Sequence, residues 1–242
     1  LNDNNISRKI TELLSKNSDM IIEIGPGMGI LTKFLIQKNV NLHLIELDEE
    51  CVSYLKLVYP EIRNNITQAD FLKVDLKKRY PGSLSIIGNF PYNISSQILF
   101  HVLENKSIIN EVVGMFQKEV AERIVSKQGR ERGILSVLIQ TFYDTEYCFT
   151  VNEDVFNPVP KVKSGVIKLT RNKRDQLPCD VKLFKEIVKK AFNQRRKTLR
   201  NALKSFSLEE KLKTHSLENK RAEELSIEDF IKITLECQKE LQ

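Results

Sequence analysis

Met20-Ile21-Ile22-Glu23-Ile24-Gly25-Pro26-Gly27-Met28-Gly29 is the stretch from which the fold follows. Its first half is an apolar run that reads as a buried strand. Glycine then returns at every second position, which permits a tight turn and lets a ligand approach the backbone closely. A helix is expected next, over 30–37. The dinucleotide fingerprint GxGxxG does not fit, because Gly25 and Gly27 match but Ile30 stands in the third place. No Gly-Lys-Ser/Thr follows, so the loop is not a Walker loop. Pro26 removes an amide that a phosphate cradle would use. The loop therefore suits a nucleoside without phosphates, or else is only a tight strand-to-helix turn.

Outward from this unit, strands and helices alternate. Strands are expected over 41–47, 66–69, 84–87 and 112–116, and helices over 5–14, 49–58, 95–103 and 118–125. Such alternation predicts a parallel sheet covered on both faces. Ligands in these sheets bind at the carboxyl ends of the strands. Three further candidates stand there. Glu46, in Leu44-Ile45-Glu46-Leu47-Asp48, can accept ribose hydroxyls, a device that NAD sites share. Asp70, in Gln68-Ala69-Asp70-Phe71, can accept from an adenine amino group with Phe71 near the ring, or can simply cap a turn.

The third is Gly88-Asn89-Phe90-Pro91-Tyr92-Asn93-Ile94. Pro91 fixes its own φ and biases Phe90 toward an extended conformation. An exocyclic amine such as N6 of adenine is a weak nucleophile, since its lone pair is delocalised into the ring. The Asn89 side-chain oxygen and the Phe90 carbonyl can each accept one of its hydrogens and draw the nitrogen toward tetrahedral geometry. Tyr92 can stack on a base that has left its helix. The other reading is a plain turn built from turn-forming residues.

A chain of 242 residues with 41% hydrophobic and 29% charged residues reads as a soluble globular protein of one large and one small domain. No apolar run approaches membrane-spanning length and no signal-peptide pattern opens the chain, so neither membrane nor export is expected. Cys51, Cys148, Cys179 and Cys237 are far apart. They form neither a metal motif nor a disulfide framework, and a cytoplasmic setting is expected. His43, His101 and His215 have no companions that suggest a triad or metal site. The net charge of +6 is concentrated: residues 151–205 hold 15 Lys and Arg against 5 Asp and Glu, whereas residues 1–150 hold 17 against 18. A partner of dense negative charge is the simplest reason.

The order of these motifs resembles class I S-adenosylmethionine-dependent methyltransferases. It is most similar to the rRNA adenine N6-dimethyltransferase family of the KsgA/RsmA type. Beyond the four strand-end motifs, the resemblance rests on Phe156-Asn-Pro-Val-Pro-Lys-Val-Lys-Ser164 and Ala191-Phe-Asn-Gln-Arg-Arg-Lys-Thr-Leu-Arg-Asn-Ala202, and it covers essentially the whole chain. It implies a Rossmann-like α/β fold: a seven-stranded, mostly parallel sheet with helices on both faces, plus a small all-helical C-terminal domain. The division expected is 1–173 for cofactor binding and catalysis and 174–242 for RNA binding, joined by a polar link over 171–180. S-adenosyl-L-methionine is the implied cofactor, with Leu1, Glu23, Gly25, Gly27, Glu46, Leu47, Asp70, Phe71 and Asn89 around it. Asn89, Phe90, Pro91 and Tyr92 would hold the target amine and base, and Phe156 would close the base's other side. Lys161, Lys163, Arg195, Arg196, Lys197 and Arg200 would meet RNA.

The implied activity is dimethylation of N6 on two adjacent adenosines near the 3′ end of small-subunit rRNA, by a monomer without metal. The alternatives are an Erm-type enzyme acting on large-subunit rRNA and a non-catalytic nucleic-acid-binding assembly factor. The Gln194 to Arg200 motif favours the first reading and the intact Asn89, Phe90 and Tyr92 favour an enzyme. Relatives usually carry a basic arm ending Gly-Gln-Asn/His-Phe-Leu, of which only Leu1 is present, so part of a cofactor lid is expected to lie outside this sequence. Lys163 stands where many relatives carry Asp. In the second domain helices are expected over 181–192, 197–206 and 226–240, with Arg196, Arg200 and Lys204 on one face of the middle helix.

Overall fold

The computed structural model describes residues 1–15, 18–206 and 208–240. Two compact units emerge, one of Leu1–Glu122 with Tyr143–Arg171 and one of Arg123–Phe142 with Asn172–Gln242. The linear expectation of 1–173 and 174–242 thus misses an excursion: residues 123–142 pack with the C-terminal unit. Within it the Gly129 amide donates to the Glu223 carbonyl at 3.2 Å and the Asn172 amide to the Phe142 carbonyl at 3.0 Å.

The larger unit begins with α1 (Asn4–Glu12), β1 (Met20–Ile24), α2 (Thr32–Ile36), β2 (Leu42–Glu46), α3 (Glu49–Val58) and β3 (Ile66–Gln68). It continues with α4 (Leu76–Arg79), β4 (Leu84–Asn89), α5 (Ser95–Glu104), β5 (Ile109–Gln117) and α6 (Lys118–Val125), whose last turn falls in the other unit. After α7 (Ile134–Phe142) of the smaller unit, β6 (Tyr143–Val151) and β7 (Ser164–Arg171) complete it. The smaller unit also holds α8 (Val181–Asn193), α9 (Leu199–Ala202), α10 (Glu209–Thr214) and α11 (Ile227–Glu240). Aspartates start many of the helices: Asp3, Asp48, Asp75 and Asp180 each accept from an amide of the first turn.

The seven strands lie in the order β3-β2-β1-β4-β5-β7-β6. The first five run parallel, and β7 inserts antiparallel between β5 and β6. Ile21, Leu44, Ile87, Val113 and Met115 share one face and pack with Ile10 of α1, Leu35 of α2 and Val52 and Leu55 of α3. Ile22, Ile24, Ile86 and Val112 point to the opposite face by the period of two and are equally buried. Both faces are therefore covered, which is why the central strands read as unbroken apolar runs. β1 begins and ends where its sequence predicts, β4 extends two residues further to Asn89, and α2 is shorter than expected.

The smaller unit is helical. Phe184, Ile187, Val188 and Ala191 form the buried stripe of α8, and Phe192 stacks on Phe230 of α11 with ring centroids 6.1 Å apart. The helix expected over 197–206 does not form as one element. Lys197 turns back on Gln194, and Thr198 is extended (φ −67°, ψ 159°). The Leu199 and Arg200 amides donate to the carbonyls of Lys220 and Glu218. Those bonds meet donors that a longer helix would have satisfied internally, so α9 is four residues long and 204–206 is a separate 3₁₀ turn. Arg196, Arg200 and Lys204 consequently do not line one helical face.

Candidate functional site

The carboxyl ends of β1, β2, β3 and β4 bring four loops together. Parallel register sets Ile24 beside Ile45, and Glu46 beside Gln68. The Gly25 amide donates to the Ile45 carbonyl at 3.0 Å, and the Ala69 amide to the Glu46 carbonyl at 2.9 Å. A cleft of about 750 Å³ opens there, lined by Gly25, Glu46, Leu47, Asp70, Phe71, Pro91 and Asn93 among others. That volume suits a nucleoside-sized ligand.

Gly25 and Gly27 sit at φ +62° and +54°, backbone that side chains rarely adopt. A Cβ on Gly27 would meet nothing within 4 Å, so that face of the loop is open. Glu46 holds the loop: its Oε2 accepts from the Gly27 amide at 3.0 Å, while Oε1 accepts from Leu47 and Asp48 amides at 2.8 and 3.0 Å. A carboxylate offers about four acceptor positions, so Glu46 retains room for about one further donor. That is less than the pair of ribose hydroxyls expected from sequence would use. Asp70 caps a turn through Leu72 at 3.0 Å, has Lys73 at 3.7 Å, and still faces the cleft. The capping reading of Asp70 holds, and its place in the cleft lining leaves it open to a ligand as well. Phe71 lines the cleft while its ring packs edge-on against His101, 5.0 Å away. Leu47 presents an apolar, 66% exposed side chain at the rim.

Glu23 does not line this cleft. It is 1% exposed beneath the glycine loop, and its Oε2 accepts from the Thr32 hydroxyl at 2.6 Å. Burial, with Glu46 adding to it, pushes its carboxyl up to about 8, against the opposing effect of the Thr32 bond. Leu1 packs on the same hydrophobic core, and the Asn2 amide donates to the Val155 carbonyl at 2.7 Å. Phe156 is also half-buried against that core rather than in the cleft lining.

Around the turn over 88–94, the Phe90 amide donates to the Met115 carbonyl, the Ile94 amide to the Pro91 carbonyl, and the Ser95 hydroxyl to the Tyr92 carbonyl. Among the described residues neither the Asn89 side chain nor the Phe90 carbonyl has a hydrogen-bond partner. These are the two acceptors that the sequence reading assigns to a target amine. The Phe90 ring itself is 1% exposed and lies over two glycines paired across β4 and β5, Gly88 and Gly114. It meets Phe116 edge-on, with centroids 5.2 Å apart. The ring is an anchor for the turn. Tyr92 is half-buried, and its hydroxyl lies 2.7 Å from the Ser164 hydroxyl. Sequence reasoning named neither Ser164 nor Asn93 as a site residue. Asn93 lies in the same turn and was within reach of the motif argument, whereas nothing local links Ser164 to a residue 72 positions away.

The basic candidates divide between the units. Lys161 and Lys163 are exposed in the segment before β7, beside the 63% exposed Val159. In the other unit Arg196, Lys197 and Arg200 are exposed. Arg195 is not a free contact: its guanidinium donates to the Arg130 carbonyl and pairs with Glu223 at 3.8 Å. Among the described residues no group of three His, Cys, Asp or Glu is placed to hold a metal, and no helix is long and apolar enough to cross a membrane.

The family model for ribosomal RNA adenine dimethylase matches residues 1–239. The chain is 55% identical over 237 residues to the ribosomal RNA small subunit methyltransferase A of Flavobacterium johnsoniae, covering 97% of this chain and 91% of that one. Among solved structures, a dimethyladenosine transferase from Plasmodium falciparum superimposes with a TM-score of 0.82 at 25% identity, covering 99% of this chain and 97% of the other. The 23S rRNA methyltransferase ErmE superimposes at 0.74 with 22% identity, covering 98% and 99%, a likeness of fold. With open acceptors at the end of β4, a nucleoside-sized cleft beside them and a family match along nearly its whole length, this chain belongs to the ribosomal RNA adenine dimethylase family.

Proposed function

We propose that the chain dimethylates N6 of two adjacent adenosines near the 3′ end of 16S small-subunit rRNA, using S-adenosylmethionine, as a cytoplasmic monomer without metal. The observation that carries this reading is the open pair of acceptors, the Asn89 side-chain oxygen and the Phe90 carbonyl. The relatives named small subunit methyltransferase A support the small subunit over the large one. The intact acceptor pair supports an enzyme over a purely binding factor.

The donor set fits the cofactor. Glu46 and Asp70 offer acceptors for a ribose and an adenine amine, Leu47 and Phe71 offer apolar walls, and the glycine loop offers an open backbone face. When bound, S-adenosylmethionine supplies a methyl group on a positively charged sulfur. The chain's own work is positioning. Asn89 and Phe90 accept the two amine hydrogens and direct the nitrogen lone pair, and Tyr92 stacks on the extruded base. Preorganised acceptors at a reacting centre carry much of such catalysis. No general base is required, because the methylated amine is an acidic cation that releases its proton to water. Exposed Lys161, Lys163, Arg196, Lys197 and Arg200 are assigned to the rRNA backbone, whereas Arg195 is tied to Arg130 and Glu223 of the smaller unit.

The test is Asn89→Ala, incubated with labelled S-adenosylmethionine and unmethylated small subunits, with the modified adenines mapped. Methyl transfer is expected to fall by about 10²-fold or more while cofactor affinity falls far less, because Asn89, expected from sequence also beside the cofactor, is not among the residues lining the cleft. Ordinary turnover in the folded variant would overturn the amine-holding assignment, and label on large-subunit rRNA alone would favour the Erm-type reading.

A further inference from the structure

We infer that Ser164 is a positioning residue for the target base, holding the Tyr92 ring at the angle needed for stacking. The inference rests on the reading of Tyr92 given above. Tyr92 and Ser164 meet hydroxyl to hydroxyl at 2.7 Å. The two ends of this bond differ in kind. Tyr92 lies in the turn between β4 and α5 and is half-buried. Ser164 is 0% exposed and opens β7, where its backbone pairs with Gln117 of β5 on one side and Val151 of β6 on the other. The anchor is therefore held by the sheet on both flanks.

The backbone of the turn is already fixed. Ile94 bonds back to Pro91, and the Ser95 hydroxyl bonds to the Tyr92 carbonyl. What those bonds leave free is the tyrosine side chain, which turns about two torsions. A bond at the tip of the ring, the point furthest from the backbone, restrains both torsions with the greatest leverage. Stability gives little reason for it. A half-buried phenol hydroxyl finds water when its partner is removed, and a buried serine replaced by alanine leaves no orphaned polar atom at its own position. Each hydroxyl can donate and accept, so the pair is satisfied whichever donates. The consequence of losing it falls on ring orientation and hence on the alignment of the stacked base, where small misplacements are costly in rate.

Ser164 also closes the segment that carries the exposed Val159, Lys161, Val162 and Lys163. The chain thus passes from its exposed lysines directly to the residue that orients Tyr92.

The experiment is a double-mutant cycle of Tyr92→Phe and Ser164→Ala, assayed on unmethylated small subunits with S-adenosylmethionine. Each single change is expected to lower kcat about fivefold to tenfold, with KM for subunits and cofactor affinity within twofold. The double variant is expected to be no slower than either single one, because both remove the same bond. A substrate bearing 2-aminopurine at the target position gives a second readout: weaker stacking should leave the bound base brighter in Ser164→Ala than in the unmodified protein. If Ser164→Ala fails to fold, Ser164→Cys takes its place at nearly the same volume. Unchanged kcat in the serine variant, or losses that multiply in the double, overturns the inference. Tyr92→Ala separates the two levels. If it keeps full turnover, the stacking role itself is gone. If it is slow while Ser164→Ala is normal, only the positioning role is.

Discussion

Replacing Gly114 with alanine tests whether the turn proposed to hold the amine is set by the sheet beneath it. Gly114 pairs with Gly88 in the β4–β5 ladder, and the Phe90 ring lies on both. A Cβ at 114 would stand 2.6 Å from Phe116 Cε2 and 2.9 Å from Phe90 Cδ2, and closer still to Phe90 Cε2, where ordinary contact begins at 3.4 Å. The rings must retreat by about 1 Å, yet Phe90 is 1% exposed and Phe116 0%, so neither has free space to enter. Overpacking of this kind costs about 1–3 kcal/mol. At roughly 2–4 °C per kcal/mol for a chain of this size, about 2 kcal/mol lowers Tm by about 4–8 °C. Phe90 cannot move without carrying Asn89 and Pro91, so turnover is expected to drop by about 10²-fold, the cost of roughly 1 Å of misplacement. Cofactor affinity should change far less, because Glu46 and Asp70 sit on other strand ends. Thermal denaturation, calorimetry with S-adenosylmethionine and methyl transfer to small subunits give the three readings. Phe90→Leu in the Gly114→Ala background should recover part of the stability by clearing the clash. A Gly114→Ala protein with unchanged Tm and turnover would show that the Phe90 ring does not position the turn.

Glu46→Gln should weaken S-adenosylmethionine binding by about 1.5–3 kcal/mol and also loosen the glycine loop, since the charged acceptor of three amides is lost; calorimetry and denaturant unfolding check both. Glu23→Gln should flatten the pH dependence of stability. The folded-state value near 8 lies above the ordinary 4.5, so between those values the unfolded chain releases a proton that the folded chain keeps, and stability falls as pH rises, by up to about 1.4 kcal/mol per unit. Denaturant titrations from pH 5 to 8 should show that slope in the unmodified protein and a shallower one in the variant. The double change Arg196→Glu and Arg200→Glu should weaken rRNA binding and reduce the slope of log affinity against log salt by up to about 2 units, leaving cofactor affinity alone. Arg195→Ala should instead lower Tm, through loss of its bonds to Arg130 and Glu223.

Much of the larger unit is written locally. Met20–Ile24 reads as a buried strand because every residue in it is needed by one face of the sheet or the other, and the structure returns those bounds. Glu46, Asp70 and Asn89 fall at the ends of parallel strands because alternating strands and helices admit few arrangements, all of which gather those ends on one edge. Asp48 and Asp180 start helices through bonds three residues long. Short-range periodicity, caps and turn chemistry are properties of neighbouring residues, so a sequence carries them openly.

What depends on distant partners was not legible. β7 enters between β5 and β6 against chain order, and no local pattern states that choice. The same long-range pairing sets Gly88 beside Gly114 under the Phe90 ring and brings Ser164 to Tyr92. In the smaller unit, i to i+4 spacing suggested one basic helix through Arg196 and Arg200. The carbonyls of Glu218 and Lys220 claimed its first amides instead and kept the helix to four residues. Arg195 counted as positive charge in the sequence, and only its bonds to Arg130 and Glu223 show that charge to be held within the fold. Each of these outcomes is a competition between a local preference and a contact from far along the chain. The local preference is a few tenths of a kcal/mol per residue, whereas a buried hydrogen bond or packed ring is worth about 1 kcal/mol or more, so the tertiary contact decides.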